Sequence, residues 1–211
     1  MKSNQEIFYD LLKVVHTYYP VGFPYSNLGY DGYKKLQSII VENCQSTMDG
    51  SITDPWNSVC KSLEELNLNR TYFDASAIAA LPSQRFMAIF HESHEGLLHR
   101  RTLLTGVVSL LSNYYCVWIE EQLATFSENG MLNEVVDMHR KQYTIEEKGE
   151  IDAVHNIMKT NYPDYIHVEY NLLQKKIYGA LPVGCDPQSM IYNFPIFDFI
   201  FGQYKPSGLV E

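Results

Sequence analysis

An α+β domain, with N-terminal helices packed on an antiparallel sheet, is the fold that three features of this 211-residue chain predict. Apolar residues recur at helical spacing in three successive segments before residue 67. Strand-like runs with short connections follow, and the repeated strand and helix alternation of a doubly wound parallel sheet is missing from the sequence. A chain of this length buries about 70% of its unfolded surface, enough for a sizeable core. Hydrophobic residues at 45% and charged residues at 19% fit a globular protein and exclude a disordered, coiled-coil or collagen-like chain. The sequence contains no repeat, low-complexity tract or long linker, so a single domain over residues 1–211 is expected.

The first helix begins at Ser3, which forms a capping box with Glu6. Ile7, Phe8, Leu11, Leu12, Val15, Tyr18 and Tyr19 then keep helical spacing until Pro20 stops the run. After a stretch rich in Gly, Pro and Tyr, a second helix places Tyr33, Leu36, Ile40 and Cys44 on one face, and Asp49-Gly50 turns the chain. Asp54 as N-cap and Pro55 at the first helical position open a third helix, whose stripe is Trp56, Val59, Cys60, Leu63 and Leu66.

Strands are predicted from Arg70 to Phe73, Arg85 to His91, Thr102 to Leu111 and Tyr114 to Glu121, paired antiparallel because their connections are short. The 18 uncharged residues from Thr102 to Ile119 are the one stretch long enough to test against a membrane span. Their Thr, Ser, Asn and Gly residues, with Ser112-Asn113 at the centre, suit two buried strands joined by a turn instead. Helices are predicted from Met131 to Gln142 and from Glu146 to Lys159, and a strand from Tyr165 to Tyr170. A short buried helix is expected within Met190 to Phe201. The near-continuous apolar arms around Ser112-Asn113 are expected to be central strands covered on both faces, with helices on one of them, and Leu11, Val15, Leu36, Ile40, Trp56, Leu63, Val108, Leu110 and Trp118 are expected to be buried.

Sixteen basic residues against 25 acids give a net charge of −9, and no basic stripe with interleaved aromatics occurs, which disfavours nucleic acid as a partner. The N-terminus lacks the apolar run and cleavage site of a signal peptide. Cys44, Cys60, Cys116 and Cys185 contain no CxxC pair, so the cysteines read as reduced thiols of a cytoplasmic protein without membrane attachment.

His91, Glu92, His94, Glu95 and His99 fall within nine residues, the densest set of metal-ligating types in the chain. A zinc-protease helix needs His at positions one and five with Glu at two, but after His94-Glu95 the fifth place is Leu98. A polar loop between two strands, with no stoichiometric metal and no cofactor, is therefore expected there. The sequence has no G-x-S-x-G elbow and no Walker-type loop, and Cys185 has no histidine near it in sequence.

Tyrosine supplies 16 aromatic residues, with Tyr18, Tyr19, Tyr25, Tyr30 and Tyr33 around the first loop, where they either pack the helices or form an interface. Between Glu120 and Asp152 nine acids face three bases, so this segment carries −6 of the total −9. A concentrated charge of this kind steers basic partners, or else solvates a helical face.

Val107-Val108-Ser109-Leu110-Leu111-Ser112-Asn113-Tyr114-Tyr115 with Val117-Trp118, and Ile191-Tyr192 with Ile196 through Phe201, resemble small acidic immunity proteins. These bacterial proteins are encoded beside polymorphic or contact-delivered toxins. The likeness covers the C-terminal half and rests on apolar residues, with no functional motif to carry over. It implies a cytosolic protein that binds and blocks a cognate toxin without catalysis.

The expected function is thus a non-catalytic, acidic protein-binding module, an immunity-type inhibitor whose partner has a basic surface. Its expected contacts are Glu120, Glu121, Glu146, Glu147, Glu150 and Asp152, with Tyr25 and Tyr30. Two other readings stay open: a metal-dependent hydrolase using the His91 to His99 loop, and a structural subunit of a larger assembly.

Overall fold

Three amphipathic helices open the chain where their periodicity places them: α1 (Asn4–Tyr18), α2 (Asp31–Met48) and α3 (Asp54–Glu65). The computed structural model describes residues 2–22, 29–51, 54–66, 72–76, 81–140, 142–185 and 193–202. Tyr25 and part of the strand expected from Arg70 lie outside them. The capping box of α1 forms as expected: Ser3 N–H donates to Glu6 Oε2 at 2.7 Å, and Glu6 N–H to Ser3 Oγ at 3.3 Å.

Four long or medium strands follow a short one: β1 (Tyr72–Asp74), β2 (Ser83–Glu95), β3 (Leu98–Ser109), β4 (Tyr114–Phe126) and β5 (Leu132–His139). They pair antiparallel in sequence order. Next come α4 (Ile145–Asn161), β6 (Ile166–His167), α5 (Tyr170–Leu173), β7 (Lys176–Tyr178), β8 (Asn193–Pro195) and α6 (Ile196–Ile200). The β6 strand lies parallel to the start of β4, pairing Tyr114 with Ile166 and Tyr115 with His167, while β5 pairs with the end of β4 from Glu120 onward. The charge-free stretch from Thr102 to Ile119 is the junction of β3 and β4, and no helix among the described residues is long and apolar enough to cross a membrane.

The helix expected from Met131 to Gln142 is instead β5. Its apolar residues fit either period, and pairing decides: Ser127 N–H donates to Met131 O at 2.8 Å, closing a turn that returns the chain along β4. The strand expected from Tyr165 to Tyr170 shrinks to two residues, because α5 begins at Tyr170.

The central strands are covered on both faces, as expected, but helices supply the cover on both sides rather than one. Alternation along β4 shows how: Tyr114, Cys116 and Trp118 pack with α1, α2 and α6, whereas Tyr115, Val117 and Ile119 pack with α3 and α4. Of the residues expected in the core, all are buried except Leu110, which is half-buried. The short α6 is held inside by hydroxyl donors to its last carbonyls. Tyr19 donates to Phe199 O at 2.9 Å, Ser109 to Ile200 O at 3.2 Å and Ser83 to Phe201 O at 2.7 Å.

The four cysteines are free. Burial pushes the Cys60 thiol up to about 12 and raises Cys116 further, so both behave as small hydrophobes.

Candidate functional site

The polar segment expected as a loop is a β-hairpin that prolongs β2 and β3. Glu95 pairs with Leu98, and Gly96 at φ 62° occupies the first position of the two-residue turn, a conformation that favours glycine. Strand alternation then puts Glu92 and His94 on one face and His91, Ser93 and Glu95 on the other. His99 stands directly across from His94, and their rings stack at 3.9 Å between centroids. Of the three histidines in the segment, two therefore meet, Glu92 joins them, and His91 faces away.

Glu92 is tightly oriented. Arg101 Nε donates to its Oε1 at 2.7 Å, and His99 Nε2 lies 2.7 Å from the same oxygen. The Arg101 hydrogen bond, with help from His99, holds the Glu92 carboxyl below its ordinary range despite desolvation. His99 is buried at 5% exposure, whereas Glu92 and His94 are exposed. Its imidazole is held below the usual histidine range by that burial first and by the Arg101 charge second, which favours the neutral, lone-pair-bearing ring.

On the other face of the same hairpin lies a shallow groove of about 320 Å³, lined by Ser93, Glu95, Leu98, Arg100, Glu121, Leu123 and Met138. Leu97, Leu98, Val136 and Met138 are exposed at this end of the sheet. An ion-pair chain links the groove to the start of α4: Arg100 to Glu121 at 2.7 Å, Glu121 to Arg140 at 3.6 Å, and Arg140 to Glu147 at 2.5 Å. Arg140→Met is expected to cost about 1–3 kcal/mol, because it strips a charge-assisted hydrogen bond from the buried Glu147 carboxylate. Urea unfolding of the variant against the parent reads this directly.

The structure divides the expected acidic and tyrosine contacts among several environments. Glu120 and Glu121 point to opposite faces of β4, and Glu120 accepts from Trp118 Nε1 at 3.0 Å. Glu147 and Glu150 are buried, the first closing the α4 capping box with Thr144. Glu146 and Asp152 remain exposed on α4. Tyr30 donates to His16 O at 2.6 Å and ties α2 to α1, while Tyr19 is fully buried.

A second site escaped the sequence. His155 on α4 and His167 on β6 sit 4.3 Å apart between ring centroids, and Tyr115 Oη lies 3.3 Å from His155 Nδ1. These two histidines form a wall common to clefts of about 350 Å³, toward His139 and Tyr143, and about 690 Å³, toward Lys159 and Asp152. Burial, then the neighbouring His155 and Lys159 charges, lowers the His167 pKa to about 4. The eleven residues separating the pair carry no local signal, since only the parallel pairing of β6 with β4 brings them together. No protein-family model matches the chain, and no curated protein or solved structure shows significant similarity to it.

Proposed function

We propose that this chain is a non-catalytic protein-binding module of the immunity type, which acts in the cytoplasm by occupying a cognate toxin with a basic surface. The observation that carries this reading is the exposed apolar end of the sheet. Leu98, Leu123 and Met138 line a groove edged by Glu95 and Glu121, with Leu97 and Val136 exposed beside it. Apolar centres with charged rims are the usual anatomy of protein interfaces. At the far end of the ion-pair chain, Ile145 at 92% exposure and Glu146 extend the surface along α4.

The −9 net charge favours a basic partner, and Glu146 and Asp152 are the acids of α4 from the expected set placed to steer it. The sequence resemblance to acidic immunity proteins supports the same class of partner.

The test is kinetic, with the product of the gene adjacent to this one as ligand. Leu98→Glu and Met138→Glu, both at exposed positions, should each speed dissociation about tenfold or more without moving the unfolding midpoint. Glu146→Lys with Asp152→Lys should slow association, as should added salt. Unchanged dissociation of both apolar variants would exclude the groove, and a neighbouring product that does not bind at all would sink the immunity reading.

A further inference from the structure

The hairpin tip places three metal-ligating side chains on one sheet face, and it does so by strand geometry rather than by the helical spacing considered from the sequence. Glu92 and His94 are two residues apart on β2 and share a face, and His99 is the cross-strand neighbour of His94. One ligand atom from each lies within 4.8 Å of the other two. The segment lacks the helical zinc-binding spacing, and a hairpin does not need that spacing.

We propose that Glu92, His94 and His99 bind one borderline divalent cation, of which zinc is the type case, at the tip of the β2–β3 hairpin. Two imidazoles and a carboxylate form a mixed nitrogen and oxygen set suited to zinc, with the remaining coordination positions open to water. A tetrahedral shell at about 2.1 Å sets ligand atoms roughly 3.4 Å apart, so the triad closes by no more than about 1.4 Å. His99 Nε2 and Glu92 Oε1, at 2.7 Å, already stand closer than that. His94 is exposed, so its ring can turn from the stacked position toward the cation without disturbing the core. Arg101 serves as the donor that orients the ligating carboxylate, a role that hydrogen-bond partners of metal ligands commonly fill.

The site lies on the opposite face of the hairpin from the docking groove, and its existence does not depend on the protein-binding reading. A bound cation would tie β2 to β3 next to the exposed Leu97 and Leu98, bracing the tip that the groove uses.

Zinc binding to the intact chain is measured by competition with a chromogenic chelator, and cobalt loading by its visible absorption bands. One equivalent per chain is expected. His94→Ala and Glu92→Gln should each weaken binding at least ~10-fold; the metal-free unfolding midpoint should stay in place for the exposed His94, and fall modestly for Glu92, which loses its ion pair with Arg101. His91→Ala, on the far face, should leave affinity within about twofold. His99, which is buried, is kept, and its imidazole proton resonances should shift with the first equivalent of zinc. Absence of one-equivalent binding overturns the proposal. So does a loss in His91→Ala as large as in His94→Ala, because that outcome means adventitious capture by clustered histidines rather than a site on one face.

Discussion

Replacing Gly106 by valine lowers the unfolding free energy by more than about 3 kcal/mol, the upper end of ordinary overpacking costs. Gly106 on β3 is the register partner of Phe86 on β2, and the Phe86 ring lies against the glycine. A Cβ at that position would stand 2.1 Å from Phe86 Cε1 and 2.3 Å from Cζ, far inside the 3.5–4.0 Å of a normal carbon contact. The ring has little freedom to move aside: Phe86 is 1% exposed, and Trp56 and Tyr72 flank it at 6.4 and 6.2 Å. Glycine is therefore required here by close approach rather than by backbone angle. Combining Gly106→Val with Phe86→Leu should return part of the loss, a coupling of about 1–3 kcal/mol in a double-mutant cycle. Strict additivity of the two denaturation midpoints would show that the ring does not rest on Gly106.

Acid should remove up to about 3 kcal/mol of stability between pH 6.5 and 4 through His167 alone. Its folded pKa, about 4, lies below the unfolded value near 6.5, so the native state takes up the proton less readily. The contribution is complete above pH 6.5 and is lost as pH falls toward 4. Tyr115 of β4 and His155 of α4 lie against the ring, and Asp152, Lys159, Glu169, Lys2, His139 and Arg140 are the other acidic and basic side chains lining the two clefts it borders. His155 is also shifted down, by burial first, and adds a smaller, solvent-screened part in the same direction. Urea unfolding at pH 7.5, 6, 5 and 4.5 should show this slope in the parent and a flatter one in His167→Gln. Parallel curves for the two proteins would place the acid sensitivity elsewhere.

The three opening helices were legible because their signals are local. The capping box at Ser3 and the stripe of Trp56, Val59 and Leu63 repeat within a few residues, and a 3.6-residue period survives whatever packs against it. The same holds for the β3–β4 hairpin, whose turn at Ser112-Asn113 interrupts two apolar runs. By contrast the β5 segment reads as a helix in the sequence, because Val135, Val136 and Met138 satisfy either period and the choice belongs to β4. The tip of β2 reads as a loop in the sequence, since His91 to Glu95 carry no apolar alternation when both faces meet water.

Composition, the −9 charge and the positions of the early helices followed from the sequence by itself, as did the fold class. The tertiary structure decided which side chains meet: that His94 faces His99 and not His91, that His155 meets His167, and that Glu147 and Glu150 leave the charged surface for the interior. The reason is that helical faces are set by neighbours in sequence, whereas strand register and sheet burial are set by partners tens of residues away.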